Sequence, residues 1–291
     1  KPDYDMNIMT ANQGLSDITC KVLKNIESIY ETERPDLVLV QGDTTTVFAA
    51  SLAAYYKQIP VGHVEAGLRS RNKYHPFPEE INRCLTSVIA DIHFAPTNKA
   101  KDNLSSEGVD EDSICVTGNT VIDALLDVAA RDFKFDTGLL NNINGKIILI
   151  TAHRRENFGK PLTDICNAIL TLAKRYPEVT FIYPVHLNPN VRSTVHDILG
   201  NRSNILLIEP LDYVPFVHLM KRSYIILTDS GGIQEEAPSL NKPVLILRKV
   251  TERPEAVMAG SAKLVGTHPH SIIEETTRLL ENTEEYDRMS N

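Results

Sequence analysis

The chain has 291 residues, 42% hydrophobic and 23% charged, which gives room for two cored domains of ordinary size. A formal net charge of −8 argues against a nucleic-acid surface, yet a small anionic substrate needs only local positive charge. No apolar run nears the ~20 residues that span a bilayer, and the residues before the first expected element do not read as a signal peptide.

Short apolar runs alternate with amphipathic helical stretches. Strands are expected at 37–40, 61–64, 92–95 and 114–116, then at 147–150, 180–183, 205–208, 224–227, 244–247 and 262–265. Helical patterns lie between them, for example over 162–176 and 272–280. Near-continuous apolar strands separated by helices predict parallel sheets covered on both faces. The fold class is therefore α/β, two Rossmann-like domains with a central cleft. The polar stretch from Arg131 to Gly145 predicts the seam, giving domains 1–135 and 136–291. Cys20, Cys84, Cys115 and Cys166 form no Cys-x-x-Cys pair, so they read as buried free thiols in a reducing cytoplasm, without a metal.

Residues with chemistry in them collect at strand ends. Asp43 follows the first strand in a Gly-Asp-Thr run; the plain alternative is an N-cap for the next helix. Glu65 closes the second strand between Val64 and Ala66-Gly67, where a charge is harder to explain structurally. Glu79 and Glu80 open a helix after Pro78, and an ordinary i,i+4 pair of Glu79 with Arg83 would account for them. Three carboxyl-bearing loops in one half of the chain can divide acid and base roles by shifting each other's pKa values.

In the second half, His153 and Arg154 follow one strand and His186 another. These can meet phosphate or sugar oxygens, whereas His196 and His218 read as structural. Phe216 can stack on a base or simply fill the core. The run Ser230-Gly231-Gly232 follows an apolar strand and opens a helix, leaving backbone N–H groups free for a phosphate. Glu236 lies inside that helix as an acceptor for a ribose diol, and Arg253 opens a later helix after a strand. There is no Gly-x-Gly-x-x-Gly and no Walker-type motif, so nicotinamide and P-loop chemistry lose support.

Taken in order, Gln41-Gly-Asp-Thr-Thr-Thr46, Gly62-His-Val-Glu-Ala-Gly-Leu-Arg69, Pro78-Glu-Glu-Ile-Asn-Arg83, His153-Arg-Arg-Glu-Asn-Phe-Gly159, Pro184-Val-His-Leu-Asn-Pro-Asn190 and Thr228-Asp-Ser-Gly-Gly-Ile-Gln-Glu-Glu-Ala-Pro238 closely resemble the non-hydrolysing UDP-N-acetylglucosamine 2-epimerases. The resemblance runs over nearly the whole chain. It implies a glycosyltransferase-B-like fold and interconversion of UDP-N-acetylglucosamine with UDP-N-acetylmannosamine, with no redox cofactor or metal. It implies Asp43, Glu65 and Glu79 as catalytic acids and His153 at the UDP-bearing site. It places Ser230, Gly231 and Gly232 at the diphosphate, Glu236 at ribose, Phe216 near uracil and Arg253 near the phosphates. Glu80, Arg154 and His186 match positions that hold a second, activating UDP-N-acetylglucosamine in bacterial members. A homodimer working in cell-envelope polysaccharide synthesis is the further expectation.

Against that pattern the chain starts at Lys1, downstream of a first strand and its Gly-Thr-Arg-Pro-Glu turn, and stops at Asn291 before a Gly-Asp-Gly segment. An incomplete N-terminal domain is expected from this comparison. The rival readings are a UDP-2,3-diacetamido-uronic acid 2-epimerase, a glycosyltransferase of the same fold and a non-catalytic UDP-sugar binding fragment. A hydrolysing epimerase would carry Gly-Asp-Arg where this chain has Gly42-Asp43-Thr44.

Overall fold

The foreseen strands form within a residue of their expected bounds, in a computed structural model that describes residues 2–10, 13–136, 138–251 and 253–290. Lys1 and Asn291, the two ends named above, lie outside the described residues. The chain divides into two compact units, Lys1–Asn119 and Thr120–Asn291.

The first unit runs α1 (Leu15–Glu33), β1 (Val38–Gln41), α2 (Thr45–Tyr56), β2 (Val61–Val64), α3 (Glu79–Ile89), β3 (Ile92–Ala95), α4 (Asn98–Ser106) and β4 (Ile114–Val116). Its strands pair in parallel in the order β1-β2-β3-β4. The β1 residues Val38 and Val40, the small face of α2 (Ala50, Ala53, Ala54) and Tyr30 of α1 make its main core. Helix α3 is unusual. It buries Glu80, Asn82, Arg83, Thr86 and Ser87, while Ile81, Leu85 and Val88 stay exposed at i, i+4 and i+7.

The second unit begins with α5 (Thr120–Ala130). Leu125, Val128 and Ala129 of this helix join the second core beside Leu149 and Ile226, so it belongs there although composition placed the seam further along. Next come α6 (Gly138–Asn141), β5 (Ile147–Thr151), α7 (Lys160–Arg175), β6 (Thr180–Pro184), α8 (Pro189–Leu199), β7 (Ile205–Ile208), α9 (Tyr213–Arg222) and β8 (Ile225–Thr228). The unit ends with α10 (Gly231–Glu236), β9 (Val244–Ile246), α11 (Glu255–Met258), β10 (Ala262–Leu264), α12 (Pro269–Glu281) and α13 (Thr283–Ser290). The sheet order is β10-β9-β8-β5-β6-β7, all parallel. Ile148 and Ile150 point into the core on one face and Ile147 and Leu149 into that on the other, the two-residue alternation of a strand covered on both sides. Strand order reverses between β5 and β8, and such a switch point is where doubly wound sheets bind ligands, beyond the strands' carboxyl ends.

The cysteines depart from expectation. Cys166 is buried, but Cys20 and Cys115 are exposed and Cys84 is half-buried. Cys115 sits on β4, an outer strand of its sheet, where one side of the pleat remains open to water.

Candidate active site

At the switch point of the second unit, β5 delivers His153 and β8 delivers Asp229 and Ser230. The Asp229 carboxylate has no solvent exposure. It accepts hydrogen bonds from the backbone N–H of His153 (2.9 Å), the N–H of Arg154 (2.9 Å) and Asn157 Nδ2 (2.9 Å). Three donors on one buried carboxylate pin the 153–157 loop against β8. The Thr151 and Thr228 hydroxyls meet at 2.7 Å below it, and Thr228 Oγ1 takes the Ser230 N–H at 2.9 Å.

A cavity of about 330 Å³ opens above this floor, within the usual size for a small-molecule site. His153, His186, Phe216, Ser230, Gly232 and Glu236 all line it. Its far wall is Pro210, Leu211 and Tyr213 with Phe216, an apolar slot suited to a flat ring. Helix α10 starts at Gly231, so the N–H groups of its first turn have no partner within the helix and the hydroxyl of Ser230 makes no cap bond. A Cβ added to Gly232 would lie 3.6 Å from Glu236 Oε1, which places that carboxylate over the same turn.

Burial sets the electrostatics. It raises the Glu236 carboxyl to about 7. Burial also pushes the His153 imidazole below its ordinary value; His186 and Arg154 push the same way and Asp229 opposes them. His153 and His186 stack with ring centroids 5.3 Å apart and planes 11° from parallel. Arg154 is tied to Asp229 through its backbone. Arg253, one of the positions marked by sequence, is not on this wall; it pairs with Glu235 of α10, while its N–H goes to Thr251 Oγ1 at 3.1 Å.

The first unit brings Glu65 to the Gly42-Asp43 turn and carries Glu79 at the start of α3. Asp43 does not cap α2: Thr44 does, accepting from the Val47 N–H. Asp43 Oδ2 instead receives Arg83 Nη2 at 2.7 Å, and its carbonyl receives Asn82 Nδ2 at 3.0 Å. The expected Glu79–Arg83 pair is therefore replaced, since Arg83 turns to Asp43 and to Glu80, 3.5 Å away. Glu79 Oε2 is buried without a hydrogen bond. Glu80, 3% exposed, accepts from the N–H of Ser70 (2.9 Å) and Arg71 (2.9 Å) and so holds the loop after β2. Glu65 has φ +68, a left-handed conformation that costs a non-glycine residue free energy and aims its side chain away from the strand's usual direction. Its Oε2 lies 3.6 Å from where a Cβ on Gly42 would be, so Glu65 and the Gly42-Asp43 turn are neighbours. Gly67, at φ +87, lets this loop pass Ala100; a Cβ there would strike the Ala100 carbonyl at 2.3 Å. His63 sits beneath, fully buried, with Nε2 2.8 Å from the Gly42 carbonyl oxygen, and burial takes it down to about 4.

The second unit thus offers an anion-and-ring site, and the first carries Asp43 and Glu65 on strand-end turns and Glu79 at the start of α3. The profile of the family described as UDP-N-acetylglucosamine 2-epimerase matches residues 1–291. The chain belongs to that family. A UDP-N-acetylglucosamine 2-epimerase of Neisseria meningitidis is 55% identical, covering 100% of this chain and 80% of the relative. The crystal structure of the Neisseria meningitidis UDP-GlcNAc 2-epimerase bound to UDP-GlcNAc matches with a TM-score of 0.92 at 54% identity, over 100% of this chain and 80% of that one. A Methanocaldococcus jannaschii UDP-GlcNAc 2-epimerase in complex with UDP-GlcNAc and UDP matches at 0.84 and 37% identity, over 99% and 83%. The fold shared with these epimerases is glycosyltransferase-B-like.

The sequence did not mark Asp229, Asn157, Tyr213 or Arg83 as site-builders. Asp229 carried a signal in retrospect, an acid inside an apolar strand end that burial obliges to find donors. Tyr213 had none, since an aromatic beside Val214 reads as core.

Proposed function

We propose that this chain is an epimerase interconverting UDP-N-acetylglucosamine and UDP-N-acetylmannosamine, working by elimination and re-addition of UDP. Its strongest support is the single cavity on which Phe216, Ser230, Gly232, Glu236 and His153 converge, the wall a uridine diphosphate calls for. Membership of the epimerase family favours this over the uronic acid, glycosyltransferase and binding-fragment readings.

The C2 proton of a sugar is not acidic, so the C1–O bond to the diphosphate breaks with it. The bonding electrons leave with UDP, the C2–H electrons form the C1=C2 bond, and a carboxylate takes the proton. Protonation of C2 from the other face, with return of the UDP oxygen to C1, inverts that centre. The first-turn N–H groups of α10 and the His153 loop stabilise the departing diphosphate. Burial keeps His153 neutral near pH 7, so it contributes a hydrogen bond rather than a fixed charge. Asp43, Glu65 and Glu79 carry the proton transfers. Phe216 stacks on uracil and Glu236 accepts from the ribose diol, while Arg253, off the cavity wall just before α11, would turn from its pair with Glu235 to reach the phosphates.

Two finer parts belong to this reading. A second UDP-N-acetylglucosamine acts as activator through Glu80, Arg154 and His186. Arg154 shares Asp229 with His153 and His186 stacks on it, so a ligand touching either shifts the histidine at the diphosphate. The protein is also a homodimer, supported by the exposed apolar stripe of α3.

Incubation with UDP-N-acetylglucosamine in deuterated water, followed by NMR, tests the whole. Deuterium at C2 and UDP-N-acetylmannosamine are expected, with both lost by at least ~100-fold in Glu65→Gln. Initial rates against substrate concentration should be sigmoidal, becoming hyperbolic in His186→Ala. Absence of both label and epimer overturns the assignment.

A further inference from the structure

Arg83 is buried in the first unit with its side chain 4% exposed, and it grips Asp43 from another element. Nη2 lies 2.7 Å from Asp43 Oδ2, and Nη1 lies 3.5 Å from Glu80 Oε2. Neither Nε nor Nη1 makes a hydrogen bond. A guanidinium taken from water needs its charge answered, and Glu80 answers it only in part because both its oxygens already accept the amides of Ser70 and Arg71. The contact with Asp43 is the closer one. Asn82, one residue earlier on α3, holds the Asp43 carbonyl, so the same helix fixes the backbone and the carboxylate.

We propose that Arg83 is a positioning residue for the reaction, aiming the Asp43 carboxylate and keeping it ionised. This rests on the reading of Asp43 as one of the reacting acids. The groups around Asp43 make the need plain. Glu65 reaches the Gly42-Asp43 turn from the loop after β2, and Glu80 of α3 lies on the other side of the shared Arg83. These carboxylates are like charges that a cation beside Asp43 would offset. From β2, His63 touches the Gly42 carbonyl but is held neutral by burial, and His93 of β3 is pushed down the same way. Arg69 is committed to Glu107, by bonds of 3.0, 3.1 and 2.7 Å. Arg83 brings an opposite charge into direct contact with Asp43.

The test is the pH dependence of kcat/KM for epimerisation in Arg83→Met and Arg83→Lys. In Arg83→Met the acid limb moves up by about one pH unit or more, since Asp43 then gains its proton more readily. Arg83→Lys restores the charge and returns the limb toward that of the wild type. An unmoved limb in Arg83→Met, or a Lys variant no different from Met, overturns the proposal. Because loss of a buried guanidinium can unfold the domain, a second measurement uses the wild type. Carbonyl-13C aspartate labelling, assigned with Asp43→Asn, reads the Asp43 carboxyl titration; a midpoint below about 3.9 supports the proposal and one at or above it overturns it. Should Asp43→Asn epimerise at the wild-type rate, the reading of Asp43 as a reacting acid falls instead, and the carboxyl titration still decides what Arg83 does.

Discussion

Glu236 faces two demands with opposite consequences. The cavity that receives a ring must be apolar, and that burial raises the carboxyl to about 7; accepting two ribose hydroxyls needs the ionised form. The sign follows directly. In the proposed role the carboxylate is ready above pH 7, whereas below it a proton must be lost before a diol can bind. UDP-N-acetylglucosamine affinity should therefore weaken by about tenfold between pH 8 and pH 6, since the ionised fraction falls from roughly nine-tenths to one-tenth. The sugar nucleotide is a diphosphate diester without a proton to exchange in that range, and His153 stays neutral through most of it. Calorimetric titration at several pH values checks this. A flat profile, or one that Glu236→Gln leaves unchanged, contradicts it. At this scale the sequence marked the residues but not their partners. Asp43 next to Thr44 is an N-cap candidate by type, and only the turn of the chain hands the cap to Thr44 and leaves Asp43 to Arg83, forty residues on.

Among elements, α3 departs furthest from what periodicity can reveal. Its pattern is amphipathic, and the ordinary inference puts Ile81, Leu85 and Val88 inward. The opposite holds because Glu80 must reach the Ser70 and Arg71 amides and Arg83 must reach Asp43, and partnered charges cannot be released to water without undoing that network. The parallel strands, by contrast, were legible nearly to the residue, since burial on both faces writes an uninterrupted apolar run such as Ile147–Ile150. The inverted helix leaves Val88 84% exposed, and the proposed homodimer would cover that surface. Val88→Glu should turn a dimer into a monomer in light scattering while moving stability by less than about 0.5 kcal/mol, as exposed substitutions do. Glu80→Gln should do the reverse, leaving the oligomer intact and costing about 3 kcal/mol in urea unfolding. A wild type that runs as a monomer at micromolar concentration removes the premise.

For the molecule as a whole, the residues proposed for binding and those proposed for proton transfer lie in different compact units. Every residue lining the cavity, from Thr151 to Glu236, belongs to Thr120–Asn291, while Asp43, Glu65 and Glu79 belong to Lys1–Asn119. The second unit also owns the larger core, with apolar clusters on both faces of a six-stranded sheet and α5 closing one of them. That division was readable from the alternation of strands and helices, but its place was not. Composition marks the polar stretch after α5, whereas the core claims α5 through Leu125 and Val128, and burial outranks polarity in deciding where a helix belongs. Residues 120–291 expressed alone should therefore fold and bind UDP, because the cap turn of α10, the Asp229 clamp and the Phe216 wall need nothing outside them. Phe216→Ala in that fragment should weaken binding by about 1–3 kcal/mol, the loss of a stacked base. The same fragment should exchange no deuterium into C2, since it lacks the carboxylates. Calorimetry with UDP and NMR of the sugar read the two halves separately: a folded fragment that takes up no UDP would place essential contacts in the first unit, and one that labels C2 would strip the three acids of their role.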